Sequence, residues 1–199
     1  MRATLIWTAL AAAIIAPVAA AAFSPQLQWR DGIYIASGFA GVVGMALLLV
    51  QPLLAAGDLP LSQSDARRVH RVTGTLLLGA VLLHVAGLWI TSPPDVVDAL
   101  TFTSPTPFSV WGVIAMWGVF ATALLAAWRR RLPLRPMTWR RVHLVLGLVI
   151  AAGTVTHALL IEGTMEVVTK WLLAGFVLVA TLRVVWRAGR FRDFARRSG

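Results

Sequence analysis

The chain contains RRVHRVTGTLLLGAVLLH at residues 67–84 and RRVHLVLGLVIAAGTVTH at residues 140–157, two versions of one pattern. In each version RRVH is followed, after three residues, by Gly and, after nine more, by a second His. The four histidines of the chain, His70, His84, His143 and His157, all belong to this pattern. Both stretches are rich in Leu, Val and Ala, so they predict two apolar helices that carry the same two polar side chains.

The spacing of the histidines predicts that they face one another. An α-helix turns about 100° per residue, so fourteen residues return to within about 40° of the starting direction and rise about 21 Å. An ionisable side chain in a membrane helix usually faces the bundle interior and marks a functional site. If the two helices run side by side in one direction, His70 lies level with His143, and His84 lies level with His157.

Facing imidazoles are suited to b-type haem, whose iron takes one axial nitrogen from each helix. Gly74 and Gly147 each lie four residues past a histidine on the same face, which leaves room for a flat macrocycle. The alternative for an intramembrane histidine is a hydrogen bond to a backbone carbonyl. Four histidines at matched spacing, with matched glycines, favour two haems.

The segments RRVHRVTG with His84 and WRRVHLVLG with His157 resemble the ferric reductase-like transmembrane domain of ferric reductases and NADPH oxidases. The resemblance covers nearly the whole chain and implies two helices that each carry two histidines and together hold two haems. Many members carry a flavin or nicotinamide domain after the membrane part. The 199 residues match no dinucleotide fingerprint, so a stand-alone form is expected, with flavin only in a separate partner.

The composition predicts an integral membrane protein, because 58% of the residues are hydrophobic and mean hydropathy is +0.78. Cysteine is absent, which excludes disulfides, iron–sulfur clusters and thiolate metal sites. The expected fold is an all-α, six-helix bundle forming a single domain over residues 1–199. Its spans are predicted at about 3–22, 33–55, 69–91, 108–128, 142–161 and 167–186.

Two parts of this outline leave an alternative or a detail open. Residues 3–22 also resemble a signal peptide with a cleavage region at PVAAAA. The proline-rich loop after residue 91 is expected to hold a short surface helix. Gly38, Gly41 and Gly44, a turn apart in the second span, are predicted to serve close helix packing and no site.

The basic residues predict the orientation, since they accumulate on the cytoplasmic side of membrane proteins. Sixteen fall on one side, and only Arg30 and Lys170 fall on the other. Both termini, including a basic tail at 187–199, are therefore expected in the cytoplasm of a bacterial-type inner (plasma) membrane. The net charge of +10 is then a topology signal that also suits membrane lipid and does not require nucleic acid. The sixteen are Arg2, Arg67, Arg68, Arg71, Arg129, Arg130, Arg131, Arg135, Arg140, Arg141, Arg183, Arg187, Arg190, Arg192, Arg196 and Arg197.

This topology assigns the two haem sites to opposite sides of the membrane. His70 and His143 are predicted to hold the inner haem iron, and His84 and His157 the outer one. Arg67 and Arg140, one turn toward the cytoplasm on the histidine faces, are candidates for the inner propionates; the alternative is snorkelling to the headgroups. The space between the haems is expected to hold Leu77 and Ile150, or Met116, Trp117 or Phe120 from the fourth span.

The predicted function is a membrane haem oxidoreductase that passes electrons from a cytoplasmic flavoprotein reductase to an acceptor outside. Family resemblance suggests ferric iron, oxygen or a periplasmic partner protein as that acceptor. Two redox alternatives are the haem-bearing subunit of a periplasmic reductase, such as methionine sulfoxide reductase, and a quinol-oxidising cytochrome b. A transporter that uses the histidines for protons or metal ions is a third alternative, and it leaves the matched glycines unexplained.

Overall fold

The computed structural model describes the backbone of residues 1–197 and the side chains of residues 1–189. This part of the chain is helical and contains no strand. The helices are α1 (Arg2–Ala22), α2 (Gly32–Ala56), α3 (Gln63–Thr91), α4 (Pro93–Leu100), α5 (Ser109–Ala127), α6 (Pro136–Leu160) and α7 (Val167–Arg197), with one 3-10 turn at Pro25–Leu27.

Side chains at the helix starts satisfy backbone N–H groups that have no partner within the helix. Asp31 accepts a hydrogen bond from Ile33 N at 2.7 Å before α2, and Ser62 accepts one from Asp65 N at 3.1 Å before α3. Glu166 accepts bonds from Val168 N and Thr169 N before α7. Pro136, whose missing N–H costs nothing at this position, begins α6. These polar caps fix where the apolar runs become helices.

Two helical hairpins form the body of the bundle, α2 packed along α3 and α5 packed along α6. The helix α7 contacts α2 and α6 and places Leu173 and Val177, both fully buried, in the centre. In the described part of the chain α3 and α6 make no extended backbone contact, although their histidine faces point at each other. The two hairpins therefore enclose a gap between α3 and α6.

Six of the helices are long and apolar enough to cross a membrane, and α7 meets this description over Val167–Gly189. Many of their large apolar side chains are exposed, as expected where lipid surrounds a bundle, and α1 is the least buried span. The predicted all-α bundle with six spans is confirmed. The short helix expected after residue 91 is α4, which is eight residues long.

Three helices extend beyond the predicted spans at the end that carries most arginines, which we call the basic end. The helix α3 begins at Gln63 and α6 at Pro136, about six residues before the predictions, and α7 continues to Arg197. Hydropathy falls where polar residues begin, whereas the backbone hydrogen bonds of a helix continue past the membrane. The residues predicted as a basic tail thus continue α7 up to Arg197, and residues 198–199 lie outside the described part.

Candidate functional site

The four histidines meet as two facing pairs, as their spacing predicts. The ring centres of His70 and His143 lie 6.1 Å apart, and those of His84 and His157 lie 6.4 Å apart. His70 and His143 are near the starts of α3 and α6, whereas His84 and His157 are near their ends. The two helices therefore run in the same direction, and the pairs are stacked along the bundle.

The distance within each pair is the distance that two ligands of one metal atom would have. A metal–imidazole bond is about 2.0 Å long and a ring centre lies roughly 1.1 Å behind each ring atom, so two imidazoles on opposite sides of one metal have centres about 6 Å apart. The donor set also discriminates between kinds of metal site. A structural or catalytic zinc ion needs three or four protein ligands, and no group of three His, Asp or Glu side chains gathers among the described residues. Two imidazoles alone suit a macrocycle that supplies the other four nitrogens.

Backbone carbonyls hold the imidazoles of the His84–His157 pair. His84 Nδ1 lies 2.8 Å from the Ser37 carbonyl oxygen on α2, and His157 Nδ1 lies 2.9 Å from the Phe108 carbonyl oxygen at the start of α5. Since a carbonyl only accepts, each Nδ1 carries the proton and donates it. Each Nε2 is consequently the unprotonated nitrogen, the form in which imidazole binds a metal.

Two glycines allow these imidazoles to approach the neighbouring helix. A Cβ built on Gly41 would lie 3.0 Å from His84 Nδ1, and one built on Gly112 would lie 2.7 Å from His157 Nδ1. Each glycine is four residues after the carbonyl that its histidine binds, so α2 and α5 repeat the same device. The prediction that Gly41 serves only helix packing is incomplete, because its neighbour is a site histidine. Gly112 was not predicted from the sequence. A comparison of Gly41 on α2 with the glycines of α5, the helix before the second RRVH segment, could have identified it.

A cavity of about 420 Å³ surrounds the His84–His157 pair. Its wall is mostly apolar and extends from Ser104 and Asp98 at the bundle end to Leu77 and Ile150 midway between the pairs. Ligand sites typically have such a size and such a wall with a few polar groups. A buried lysine, Lys170, belongs to the same wall.

The His70–His143 pair is held differently. The Trp139 ring stacks on the His143 ring with centres 5.0 Å apart and planes 11° apart, and Trp139 Nε1 donates to the Leu125 carbonyl oxygen at 3.2 Å. The guanidinium carbon of Arg129 lies 4.2 Å from the centre of the Trp139 ring. The Nδ1 atoms of His70 and His143 are buried and have no partner at ordinary hydrogen-bond geometry among the described residues, although the backbone of Gln51 is near enough to interact with the His70 ring.

The predicted glycines and arginines near this pair have distinct surroundings. A Cβ on Gly147 would meet no atom within 4 Å, and one on Gly74 would meet only the Gln51 side chain, at 3.6 Å. Space is therefore available beside both. Arg67 and Arg140 are exposed at the basic end and form no ion pair among the described side chains. The structure leaves them free to reach either a propionate or a lipid headgroup.

The residues expected between the pairs separate into two groups. Leu77, Ile150 and Met116 are buried and line the cavity. Phe120 packs against the same core, whereas Trp117 is 56% exposed and touches Phe120 edge-on from outside. Trp117 therefore lies away from the space between the pairs.

Comparison with known families agrees with this geometry. The family model described as "Ferric reductase like transmembrane component" matches residues 37–154, more than half of the chain, and the match includes Ser37, Gly41, Gly112 and three of the four histidines. No curated protein and no solved structure matches the chain. The matched segment runs from α2 into α6 and so takes in both hairpins that enclose the gap. The chain therefore belongs to the ferric reductase-like transmembrane component family.

Proposed function

We propose that this protein carries electrons across a membrane through two b-type haems, from a cytoplasmic flavoprotein to an acceptor on the outer side. Membership of the family indicates membrane electron transfer and oxidoreductase activity. The observation that carries the finer proposal is the pair of facing imidazoles at 6.1 and 6.4 Å. The acceptor is ferric iron, oxygen or a partner protein.

In this proposal His70 and His143 hold one haem, and His84 and His157 hold the other. Each haem supplies an iron that gains and loses one electron at a time. The carbonyls of Ser37 and Phe108 keep the outer imidazoles in the tautomer that presents Nε2. The mostly apolar wall around His84 and His157 lowers the local dielectric, and Leu77 and Ile150 separate the two sites.

The orientation belongs to the same proposal. With the arginine-rich end in the cytoplasm, the His70–His143 site lies on the inner side and receives electrons, and the His84–His157 site lies on the outer side. Both termini are then cytoplasmic, and the membrane is a bacterial-type inner membrane. In the same proposal Arg67 and Arg140 bind the inner propionates, and the open space beside Gly74 and Gly147 supports room for the inner haem.

An absorption spectrum of the purified protein, with and without dithionite, tests the proposal. A Soret band and a sharp α-band after reduction are expected, with two haems per chain. His84→Ala or His157→Ala should remove one haem, and His70→Ala or His143→Ala should remove the other. A protein that stays colourless after reconstitution with haem, or a single substitution that leaves two haems bound, would contradict it.

A further inference from the structure

Lys170 is a buried cation beside the His84–His157 pair. Its residue is 7% exposed, and it is the fourth residue of α7. Its Nζ donates to the Ile161 carbonyl oxygen at 2.9 Å. Lys170 lines the same cavity as His84 and His157.

The buried position of the Lys170 side chain is unusual for a lysine at the end of a membrane span. Such a side chain normally extends to the headgroups, where its charge stays hydrated. Glu166, four residues earlier, is also the favourable partner for a surface ion pair on a helix. Instead, Glu166 accepts hydrogen bonds from Val168 N and Thr169 N, and Lys170 turns inward.

The ammonium group has no counter-ion among the described side chains. The ion pairs within 4.0 Å among those side chains join Asp58 to Arg183 and to Arg187, at the basic end and so at the other end of the bundle from Lys170. Asp95 and Asp98 line the mouth of the cavity, but they are exposed on α4 and neither pairs with Lys170. A buried charge is unfavourable unless an opposite charge or several hydrogen bonds compensate it. An ammonium has three donors, and one carbonyl uses only one of them.

We infer that Lys170 is the counter-ion of a carboxylate on the ligand in this cavity, namely a propionate of the outer haem. The inference rests on the proposed function, because the ligand is the haem that His84 and His157 would hold. A positive charge in this low-dielectric wall attracts the carboxylate and also favours the reduced state of a nearby redox centre. Lys170 is thus a binding residue for the haem edge, in addition to the two axial histidines.

The experiment compares haem b with its dimethyl ester, in which both propionates are neutral. Apo-protein carrying His70→Ala, so that only the outer site remains, is titrated with each compound and the Soret band is followed. Lys170→Met should weaken binding of haem b about tenfold or more and lower the reduction potential of the bound haem, because a favourable buried charge pair is lost. The His70→Ala parent and its Lys170→Met variant should bind the dimethyl ester with equal affinity. Glu162→Gln, an exposed residue at the same end of the bundle that makes no hydrogen bond to a described residue, is the control and should bind haem b like the parent.

The outcomes separate this inference from the proposed function. Failure of the parent to bind either compound would count against the proposed haem site itself. Equal affinity of parent and Lys170→Met for haem b would overturn the inference alone, as would an equal loss for haem b and the ester, which would show a merely structural lysine. If phospholipid that co-purifies with the protein fell in Lys170→Met while haem affinity held, the partner would be a lipid phosphate, and the inference would again be wrong. Lys170→Gln, which keeps a polar side chain, serves if Lys170→Met does not fold.

Discussion

At Gly41 and Gly112 the lack of a side chain decides where an imidazole can lie. A methyl group at Gly112 would be 2.7 Å from His157 Nδ1, and one at Gly41 would be 3.0 Å from His84 Nδ1. Overpacking of this kind typically costs about 1–3 kcal/mol, which is roughly 5- to 150-fold in affinity if all of it falls on haem binding. Gly112→Ala should therefore weaken the outer haem more than Gly41→Ala, with the inner haem retained.

Haem titration of each variant, read from the Soret band, measures this effect. Gly44→Ala is the control on α2, because its Cβ would meet Ala80 and Leu77 at ordinary contact distances of 3.7 and 3.8 Å. If Gly44→Ala weakened the outer haem as much as Gly41→Ala, general helix spacing and not imidazole contact would be responsible.

Trp139 is the residue that orients the imidazole of His143. An aromatic stack contributes about 0.5–1.5 kcal/mol beyond burial, and His143 Nδ1 has no described hydrogen-bond partner that would otherwise fix the ring. In a His84→Ala background, Trp139→Leu should broaden the electron paramagnetic resonance signal of the inner haem and shift its g-values. Trp139→Phe keeps the stack, although it loses the bond to Leu125, and should restore most of the parent signal. Unchanged g-values in Trp139→Leu would show that other contacts orient His143.

The start of α7 depends on the charge of Glu166. Hydrogen bonds from the backbone N–H groups of Thr169 and Val168 lower the pKa of Glu166 below its ordinary value of 4.5. A carboxylate whose pKa falls on folding stabilises the folded state above the unfolded pKa, and this contribution is lost as the pH falls through the folded pKa. The difference in melting temperature between parent and Glu166→Gln should therefore be full near neutral pH and shrink below about pH 4.5.

Thermal unfolding in detergent from pH 7 to pH 3 measures that difference. Glu162→Gln is the control, because the exposed Glu162 side chain makes no hydrogen bond among the described residues, and its replacement should lower the melting temperature less at neutral pH. A difference for Glu166→Gln that grew on acidification would contradict the assigned role of the charge.

The positions of the single helices could largely be predicted from the sequence, whereas the contacts between helices could not. Long apolar runs and the fourteen-residue histidine spacing predicted the six spans and the two facing pairs, because both signals are local to one helix. The contacts of Gly41 with His84 and of Gly112 with His157 depend on how α2 packs on α3 and α5 on α6. No single-helix pattern contains that register. The inward direction of the Lys170 side chain could not be predicted from the sequence either, because Glu166, four residues earlier, favours a surface ion pair.

The whole molecule is built from two similar hairpins around a gap, with α7 closing one side. The hairpin α2–α3 holds its second histidine by the Ser37 carbonyl, and α5–α6 does the same with the Phe108 carbonyl. The other two histidines break this symmetry, because Trp139 on α6 has Ala66 as its counterpart on α3. The two ends of the bundle thus differ in chemistry: carbonyl-held imidazoles at one end, and an aromatic stack capped by Arg129 at the basic end.

The basic end is the proposed entry point for electrons, and its loop between α5 and α6 is the surface we expect an acidic flavoprotein to dock on. Arg129, Arg130, Arg131 and Arg135 are all exposed, but Arg129 also lies over Trp139, so its removal would disturb the inner site. Electrostatic steering raises association rates roughly tenfold or more at low salt and is screened over about 8–10 Å at physiological salt. The triple variant Arg130→Gln, Arg131→Gln and Arg135→Gln should therefore accept electrons from flavoprotein and NAD(P)H about tenfold more slowly at low salt.

The measurement is stopped-flow haem reduction at two salt concentrations, with Arg30→Gln, which removes one cation at the opposite end of the bundle, as the control for charge removed elsewhere. Docking at the loop requires that the triple variant lose most of the salt dependence while its dithionite-reduced spectrum stays unchanged, because the haem sites themselves are intact. The Arg30→Gln protein should behave like the parent at both concentrations. If the triple variant matched the parent in both rate and salt dependence, the arginines would serve topology and lipid binding only. Electrons would then enter through another surface, and a quinol in the membrane would be the donor to test.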